Sequence, residues 1–250
     1  MPKKQKTAII APLGLSPPVI TAGTDSAGFR VSDLVIIATK DPAVLGGLDL
    51  IKVGMSIRAP KVQIREEILP FDDVTTTEDN LTFMERVVKI IREERVDAGC
   101  DRILLNVAGG RKNMCITLAL IGQLMNADGI FHIGNRSISL FNQNLERLRA
   151  DIGRIHAAKS FDEKQGIYRE KEKEFNHLLF PPKSEYDIVK LPTFPVDQDY
   201  VSGLLIALRE DPGALSRSEK VILERHGILE KGKSHYYISD YGQRFLDAFI

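Results

Sequence analysis

Short apolar segments rich in β-branched residues recur along the first half of the chain. They lie at Thr7–Ala11, Leu34–Thr39, Val62–Leu69, Arg102–Val107 and Gly129–Ile133. Apolar runs of this length are typical of strands that are buried on both faces. The segments between them have helical character: Leu81–Val96 has apolar residues at three-and-four spacing, and Asn113–Met125 is almost wholly apolar. The alternation predicts an α/β fold, with an open, mostly parallel sheet and helices on both faces.

The second half of the chain has a different pattern. Phe141–Phe180 is long, charged and helical, and the proline-containing segment PPKSEYDIVKLPTFPVD follows it. From Tyr200 onward come two short helical runs, a basic hairpin at Leu229–Ile238 and a final helix, an order that predicts a winged helix-turn-helix. We therefore expect three parts: a sheet domain over residues 1–140, a helical connector over 141–199 and a winged-helix-like domain over 200–250.

The composition excludes several classes of protein. Lysine plus arginine and aspartate plus glutamate both number 34, so the net charge is zero, which argues against a surface that is one non-specific nucleic-acid patch. No apolar run is long enough for a membrane span or a secretory signal, and we expect a cytoplasmic protein. Cys100 and Cys115 lack the spacing of a zinc or redox pair, which predicts reduced packing residues.

One candidate for chemistry is the loop in PLGLSPPVI, residues 12–20, directly after the first predicted strand. Pro17 and Pro18 suit the first turn of a helix, with Ser16 as its N-cap. In open parallel sheets, ligands bind outside the carboxyl ends of the strands, where the strand order switches. Gly14–Pro17 is expected at that edge.

The second candidate is the loop in NVAGGRKNM, residues 106–114, after the fourth predicted strand. Its two glycines let the backbone approach a ligand closely, and Arg111 and Lys112 open a helix whose free amides favour an anion. The spacing is neither a Walker A loop nor a dinucleotide fingerprint. The alternatives are a phosphate site and a plain turn with solvated cations.

Together, APLGLSPPVIT and LLNVAGGRKNMCITLAL resemble the two loops of CRISPR-associated Rossmann-fold (CARF) domains, which bind cyclic oligoadenylates. Residues 6–136 look most similar to the ring nucleases that cleave cyclic tetra-adenylate. The resemblance implies a Rossmann-like sheet and a homodimer that binds the ring across its two-fold axis. It also implies metal-independent cleavage, in which a ribose 2′-oxygen attacks the neighbouring phosphate and leaves a 2′,3′-cyclic phosphate.

The resemblance also implies roles for individual residues. Ser16 would orient the ribose or phosphate, and Lys112 would stabilise charge on the phosphorane, so these two are the expected catalytic residues. The expected ligand-binding residues are Gly14, Leu15, Thr39, Gly109, Gly110, Arg111 and Asn113. The alternative is that Ser16 is only an N-cap and Lys112 only a surface cation.

We expect neither a metal ion nor another cofactor. The histidines form no metal-ligand pattern in the sequence, and none has the preceding arginine of the Arg-x4-His signature found in the family's ribonuclease effectors; they are His132, His156, His177, His226 and His235. An activated ribonuclease that only senses the ring is therefore disfavoured.

The rival function is a ring-sensing transcription regulator that binds DNA and leaves the ring intact. Its DNA-facing cations would be Arg217, Lys220, Arg225, Lys231 and Lys233. Because Glu219 and Glu224 lie among these cations, we expect the C-terminal segment to support the dimer or cover the ring, without DNA binding.

Overall fold

The fold is known from a computed structural model that describes residues 5–26, 31–136, 138–233 and 235–249. The first four residues of the predicted sheet domain, Ser234 in the predicted wing and the terminal Ile250 lie outside the described residues. No helix in these ranges combines the length and hydropathy that a membrane span needs.

Strands and helices alternate through the first part of the chain and give way to helices before a sixth strand. The strands of the main sheet are β1 (Thr7–Pro12), β2 (Asp33–Ala38), β3 (Gln63–Ile68), β4 (Arg102–Asn106), β5 (Gly129–Asn135) and β6 (Tyr186–Leu191). The helices among them are α1 (Pro18–Ser26), α2 (Pro42–Arg58), α3 (Thr77–Val96), α4 (Lys112–Leu124), α5 (Ile138–Ala157), α6 (Phe161–Glu170) and α7 (Glu172–Leu179).

The strands form one sheet in the order β3-β2-β1-β4-β5-β6. Neighbouring strands are parallel except for β5 and β6, which are antiparallel. Strand order reverses between β1 and β4, so the loops that follow these two strands leave the sheet on either side of the switch point. The Rossmann-like fold predicted from the sequence is confirmed.

Side-chain alternation along the central strands builds two cores. Ile9 lies opposite Leu34 on one side and Leu104 on the other, and all three belong to the core beneath α1, α2 and α5–α7. The next residue along β1, Ile10, belongs to the second core, beneath α3 and α4. Successive side chains point to opposite faces of a strand, which explains why central strands such as β1 and β2 read as continuous apolar runs.

The predicted winged helix-turn-helix is also confirmed. It consists of α8 (Gln198–Glu210), α9 (Arg217–Arg225), the antiparallel pair β7 (Leu229–Lys231) and β8 (Tyr236–Ile238), and α10 (Asp240–Asp247). It has its own small core, which includes Leu208, Leu223 and Leu246. The unit also contacts the sheet domain, because Arg244 of α10 pairs with Glu78 at the start of α3.

Three local predictions differ from the structure. α3 begins at Thr77, before the first apolar residue of its pattern, because Thr76 and Asp79 form a capping box. The segment expected to be a connector contains β6. This strand is hydrogen-bonded to β5 along its whole length and is therefore part of the main sheet. The third difference concerns Ser16: α1 begins at Pro18, so Ser16 does not occupy the N-cap position.

Candidate functional site

The loops after β1 and β4 are pressed against each other at the carboxyl edge of the sheet. A Cβ atom on Gly14 would lie 2.9 Å from the backbone nitrogen of Gly110, and one on Gly109 would lie 2.3 Å from the carbonyl oxygen of Pro12. Gly110 has a φ of 81°, a conformation that residues with a side chain rarely adopt. The glycines therefore bring two backbones into direct contact at the switch in strand order.

The first loop presents Leu15 and Ser16. The Leu15 side chain is 54% exposed although it is apolar. The Ser16 hydroxyl makes no hydrogen bond with any described residue. Its predicted cap role was wrong, because α1 begins at Pro18 and the hydroxyl accepts no hydrogen bond from the described backbone amides at the start of that helix. The hydroxyl is therefore available to a ligand.

The second loop leads into α4, whose first residue is Lys112. The N-cap residue, Arg111, gives no side-chain hydrogen bond to the helix, and the first turn contains no acidic residue. The Lys112 side chain is exposed, and its ammonium has no hydrogen-bond or ion-pair partner within the described ranges. The amino end of α4 thus combines a partial positive charge from the helix with an unneutralised cation.

Two residues of the first turns of α4 hold the loop in place. The Asn113 side-chain amide donates to the Val74 carbonyl oxygen at 3.0 Å, and the Cys115 thiol donates to the Gly109 carbonyl oxygen at 2.9 Å. Burial raises the pKa of the Cys115 thiol, which keeps it protonated and able to donate. Asn113 and Cys115 therefore have structural roles in this loop.

Arg111 is occupied by a carboxylate. Its Nε and Nη2 atoms donate to the two oxygens of Asp73, over 2.8 and 2.5 Å. The hydrogen bonds from Arg111 are the largest cause of a lowered pKa at Asp73, and a backbone hydrogen bond from Val74 adds to it. A phosphate that approaches the Arg111 guanidinium must compete with this carboxylate.

A cavity of about 280 Å³ opens at this edge of the sheet. Of the sequence-predicted residues, five line it: Gly14, Leu15, Thr39, Gly110 and Arg111. Ser16, Gly109, Lys112 and Asn113 do not line it and lie on the same two loops. The remaining lining residues are Leu13, Asp41, Val44, Asp72, Asp73 and Met114.

The sequence analysis missed the three aspartates of the cavity. Asp41 caps α2 and is followed by Pro42, a helix-start signal that gives no hint of a ligand. Asp72 and Asp73 follow β3. Parallel strands end at the same edge of the sheet as the glycine loops, so the position of these two residues directly after a predicted strand could have identified them as site residues.

A second cluster of titratable groups lies at the opposite edge of the sheet. Asp33, Glu94 and Cys100 are buried, and their ligand atoms lie within 4.8 Å of one another. The Lys6 ammonium is 3.3 Å from Asp33. Burial and the two carboxylates raise the pKa of the Cys100 thiol to about 12, consistent with the packing role predicted for it. This cluster is separated from the cavity by the length of the strands.

Comparison with protein families decides the classification. The sequence model of the family described as "CRISPR-associated protein NE0113" matches residues 16–222, which is most of the chain. The chain belongs to this family. A second model, described as "CARF-associated HTH", matches residues 198–250 of the NE0113-family protein, the range of the winged helix-turn-helix. No protein with a curated description matches the chain.

Solved structures similar to this NE0113-family protein include Csm6 from Enterococcus italicus, bound to cyclic hexa-2′-fluoro-hexa-dAMP. The identity is 12% and the TM-score 0.46, over 98% of this chain and 54% of that one. Can2 from Sulfobacillus thermosulfidooxidans, in complex with cyclic tetra-adenylate, has 10% identity and a TM-score of 0.39, over 96% of this chain and 63% of that one. This chain thus spans less than two thirds of either protein.

Proposed function

We propose that this protein is a ring nuclease that binds cyclic tetra-adenylate and cleaves it without a metal ion. Its products would be linear di-adenylates ending in a 2′,3′-cyclic phosphate, and their formation would switch off type III CRISPR antiviral signalling. One observation carries the proposal: the contact between Gly14 and Gly110 brings together two loops that carry Ser16 and Lys112, and the side chains of these two residues have no partner among the described residues. The membership of a CRISPR-associated family supports the same assignment.

The reaction needs an aligned nucleophile and a stabilised phosphorane. A ribose 2′-hydroxyl gives up its proton to solvent and its oxygen attacks the adjacent phosphorus; the bond from phosphorus to the 5′-oxygen breaks, and the 5′-oxygen takes up a proton from solvent. The Lys112 ammonium and the first two backbone amides of α4 would face the negative charge that develops on the phosphate oxygens; the third amide, of Met114, donates to the Asn113 side chain. The Ser16 hydroxyl would hold the ribose or phosphate in line.

A homodimer is part of the proposal, and α4 is the surface we assign to it. Residues 113–125 contain no charged residue, yet Ile116 and Leu120 are about 60% exposed. These two side chains follow Lys112 at intervals of four along the same face of the helix. An uncharged apolar face can meet its own copy across a two-fold axis without repulsion. Pairing through α4 would set the Lys112 residues of two protomers near one ring.

The test is incubation of the purified protein with cyclic tetra-adenylate in excess EDTA, followed by chromatographic separation of the products. We expect linear di-adenylate to form at an undiminished rate. Activity that disappears with EDTA and returns with magnesium or manganese would contradict the metal-independent mechanism. An intact ring under all conditions would contradict the nuclease assignment.

The match to a CARF-associated helix-turn-helix favours one second candidate, a ring-sensing transcription regulator. Glu219, which was expected to offset the cations of α9, is used by the capping box with Ser216 and accepts a hydrogen bond from Tyr200. Arg217 and Arg225 are exposed on the same helix. Both features leave cations available to phosphates.

Titration of duplex DNA from the protein's own operon, with and without the ring, separates the two functions. If the protein is a nuclease whose C-terminal domain has no DNA-binding role, no affinity for duplex DNA should be measurable at physiological salt. A DNA-binding regulator should show ring-dependent affinity that falls with salt, with a slope of about −0.9 per contacted phosphate. Nanomolar, ring-dependent binding would favour the regulator.

A further inference from the structure

The cavity beside the two glycine loops has the wrong charge for a phosphate. It is lined by three carboxylates and one guanidinium, and the guanidinium of Arg111 is already bound by one of those carboxylates, Asp73. A phosphate inside the cavity would face Asp41 and Asp72 without a free cation. The phosphates of an anionic ring are therefore better placed at the rim, near Lys112 and the amino end of α4.

The walls of the cavity suit a flat, uncharged group. Four of its lining residues have apolar side chains: Leu13, Leu15, Val44 and Met114. Small-molecule pockets are commonly apolar with a few placed polar groups, and a volume of about 280 Å³ lies just below their usual range. One nucleobase with part of its ribose is a reasonable occupant, whereas a ring of four nucleotides is too large.

Thr39 is an independent sign of a ligand in this cavity. Its side chain lines the cavity and the residue is only 5% exposed, yet its hydroxyl makes no hydrogen bond with the described residues. Among the described residues, the fully buried side-chain atom without a hydrogen-bond partner is Arg65 Nη2 and not the Thr39 hydroxyl oxygen, so this oxygen is open to the cavity. The hydroxyl is thus available to a donor or acceptor on a molecule that enters.

Asp41 provides a fixed acceptor on the same cavity. Its Oδ1 atom accepts from the backbone nitrogens of Ala43, at 2.8 Å, and Val44, at 3.1 Å, and so anchors the side chain to the start of α2. Its Oδ2 atom has no hydrogen-bond partner in the described ranges. An ionised carboxylate only accepts hydrogen bonds, so its partner on a ligand must carry N–H or O–H donors.

We infer that this cavity is a nucleobase subsite that selects adenine through its exocyclic amine. The Oδ2 atom of Asp41 accepts a hydrogen bond from the amine, the Thr39 hydroxyl pairs with a ring nitrogen, and the apolar walls contact the faces of the base. Asp41 and Thr39 are then specificity-determining residues. The inference rests on the proposed function, since it takes cyclic oligoadenylate as the ligand.

The test compares two synthetic rings of four nucleotides by calorimetry. Both carry 2′-fluoro groups, which remove the attacking oxygen and prevent cleavage; one contains adenine and the other purine without the exocyclic amine. We expect the wild-type protein to bind the adenine ring more tightly by roughly 10- to 100-fold, the range for a hydrogen bond to a charged group. Equal binding of the two rings would overturn the inference and leave the proposed function standing. Failure of both rings to bind would contradict the proposed function.

The Asp41→Ser variant tests whether Asp41 is the source of the preference for adenine over purine. Serine caps helices about as well as aspartate but is too short to reach the amine, so α2 should keep its start and the preference for adenine should fall to within about threefold. Asp197→Ser is the matched control, because Asp197 caps α8 through the same pattern of two backbone nitrogens, away from the cavity. Unchanged discrimination in the Asp41→Ser protein, or its loss in the control, would overturn the assignment.

Discussion

Arg111 and Asp73 join the loop after β4 to the loop after β3 by two parallel hydrogen bonds. The pair is largely exposed, with side-chain exposures of 67% and 32%. Exposed ion pairs contribute little to stability, so a phosphate at the rim of the cavity can displace the carboxylate from the guanidinium at low cost. The guanidinium fork is held ready in an orientation that also suits a phosphate.

This geometry predicts opposite effects for the two partners. Asp73→Asn removes a competing carboxylate and should tighten binding of the non-cleavable adenine ring by up to about fivefold. Arg111→Ala should weaken it by roughly tenfold or more, because a charge-assisted phosphate contact is lost. Titration calorimetry measures both. Asp187→Asn is the control, since Asp187 forms the same bidentate pair with Arg136 at β6. Weaker binding by Asp73→Asn would mean that Asp73 positions Arg111 for the ligand.

Lys112→Ala tests the proposed charge stabilisation. Removal of one preorganised group of this kind commonly slows the chemical step by ~10²–10³, so single-turnover cleavage should slow by about that factor while ring binding stays measurable. Lys173→Ala is the matched control, because Lys173 is also an exposed lysine in the first turn of a helix, α7. A Lys112→Ala protein that cleaves at the wild-type rate would exclude this residue from the mechanism.

Leu120→Glu tests the dimer surface. A carboxylate at the centre of an uncharged self-contact meets its own copy and must be desolvated, so the variant should be monomeric at micromolar concentration and should lose ring cleavage. Light scattering coupled to size-exclusion chromatography measures the mass. Val96→Glu is the control for introducing a carboxylate at an exposed apolar position of a helix, because Val96 is 76% exposed at the end of α3. A dimeric Leu120→Glu protein would place the interface elsewhere.

The buried cluster of Asp33, Glu94 and Cys100, at the edge of the sheet opposite the cavity, predicts that the stability of the protein depends on pH. Burial is the main cause of the raised pKa of Glu94, so ionisation of this carboxyl is less favourable in the folded than in the unfolded state. Its contribution to folding is present at low pH, where both states are protonated, and falls as the pH rises through the folded-state pKa. The free energy of unfolding of Glu94→Gln, relative to wild type, should therefore increase between pH 4 and pH 8.

Urea unfolding at several pH values measures this trend. Glu93→Gln is the control, because Glu93 is the other partner of Arg65 and its side chain is more exposed. The same rise in both variants would attribute the effect to Arg65, and a flat difference for Glu94→Gln would contradict the argument.

Much of the fold could be predicted because its signals are local. Buried parallel strands read as apolar runs, and the wing reads as a short hairpin between helices. β6 was harder, because a largely exposed edge strand with charged residues in a proline-containing segment lacks that signal. The interpretation of 113–125 as a helix packed on the sheet was right for Met114 and Leu118, while Ile116 and Leu120 face away from it.

The candidate site, like the fold, could be predicted from the sequence only in part. The glycine loops were visible because glycine marks positions where backbones approach closely. The cavity aspartates come from two further loops, and their convergence depends on the order β3-β2-β1-β4, which pairing between distant strands determines. Arg111 is paired with Asp73, which lies 38 positions earlier in the sequence. No local sequence pattern indicates an ion pair between residues so far apart.

The contact between Gly14 and Gly110 makes the two loops a single module for protein engineering. With 2.9 Å between a hypothetical Gly14 Cβ and the facing backbone nitrogen, neither loop can accept a larger residue or an insertion here unless the other moves. Attempts to transfer ring specificity between related proteins should therefore exchange residues 12–16 and 108–113 together. A chimera that carries only one of these segments should fold poorly or lose the ligand, even if every exchanged side chain is suited to the new ring.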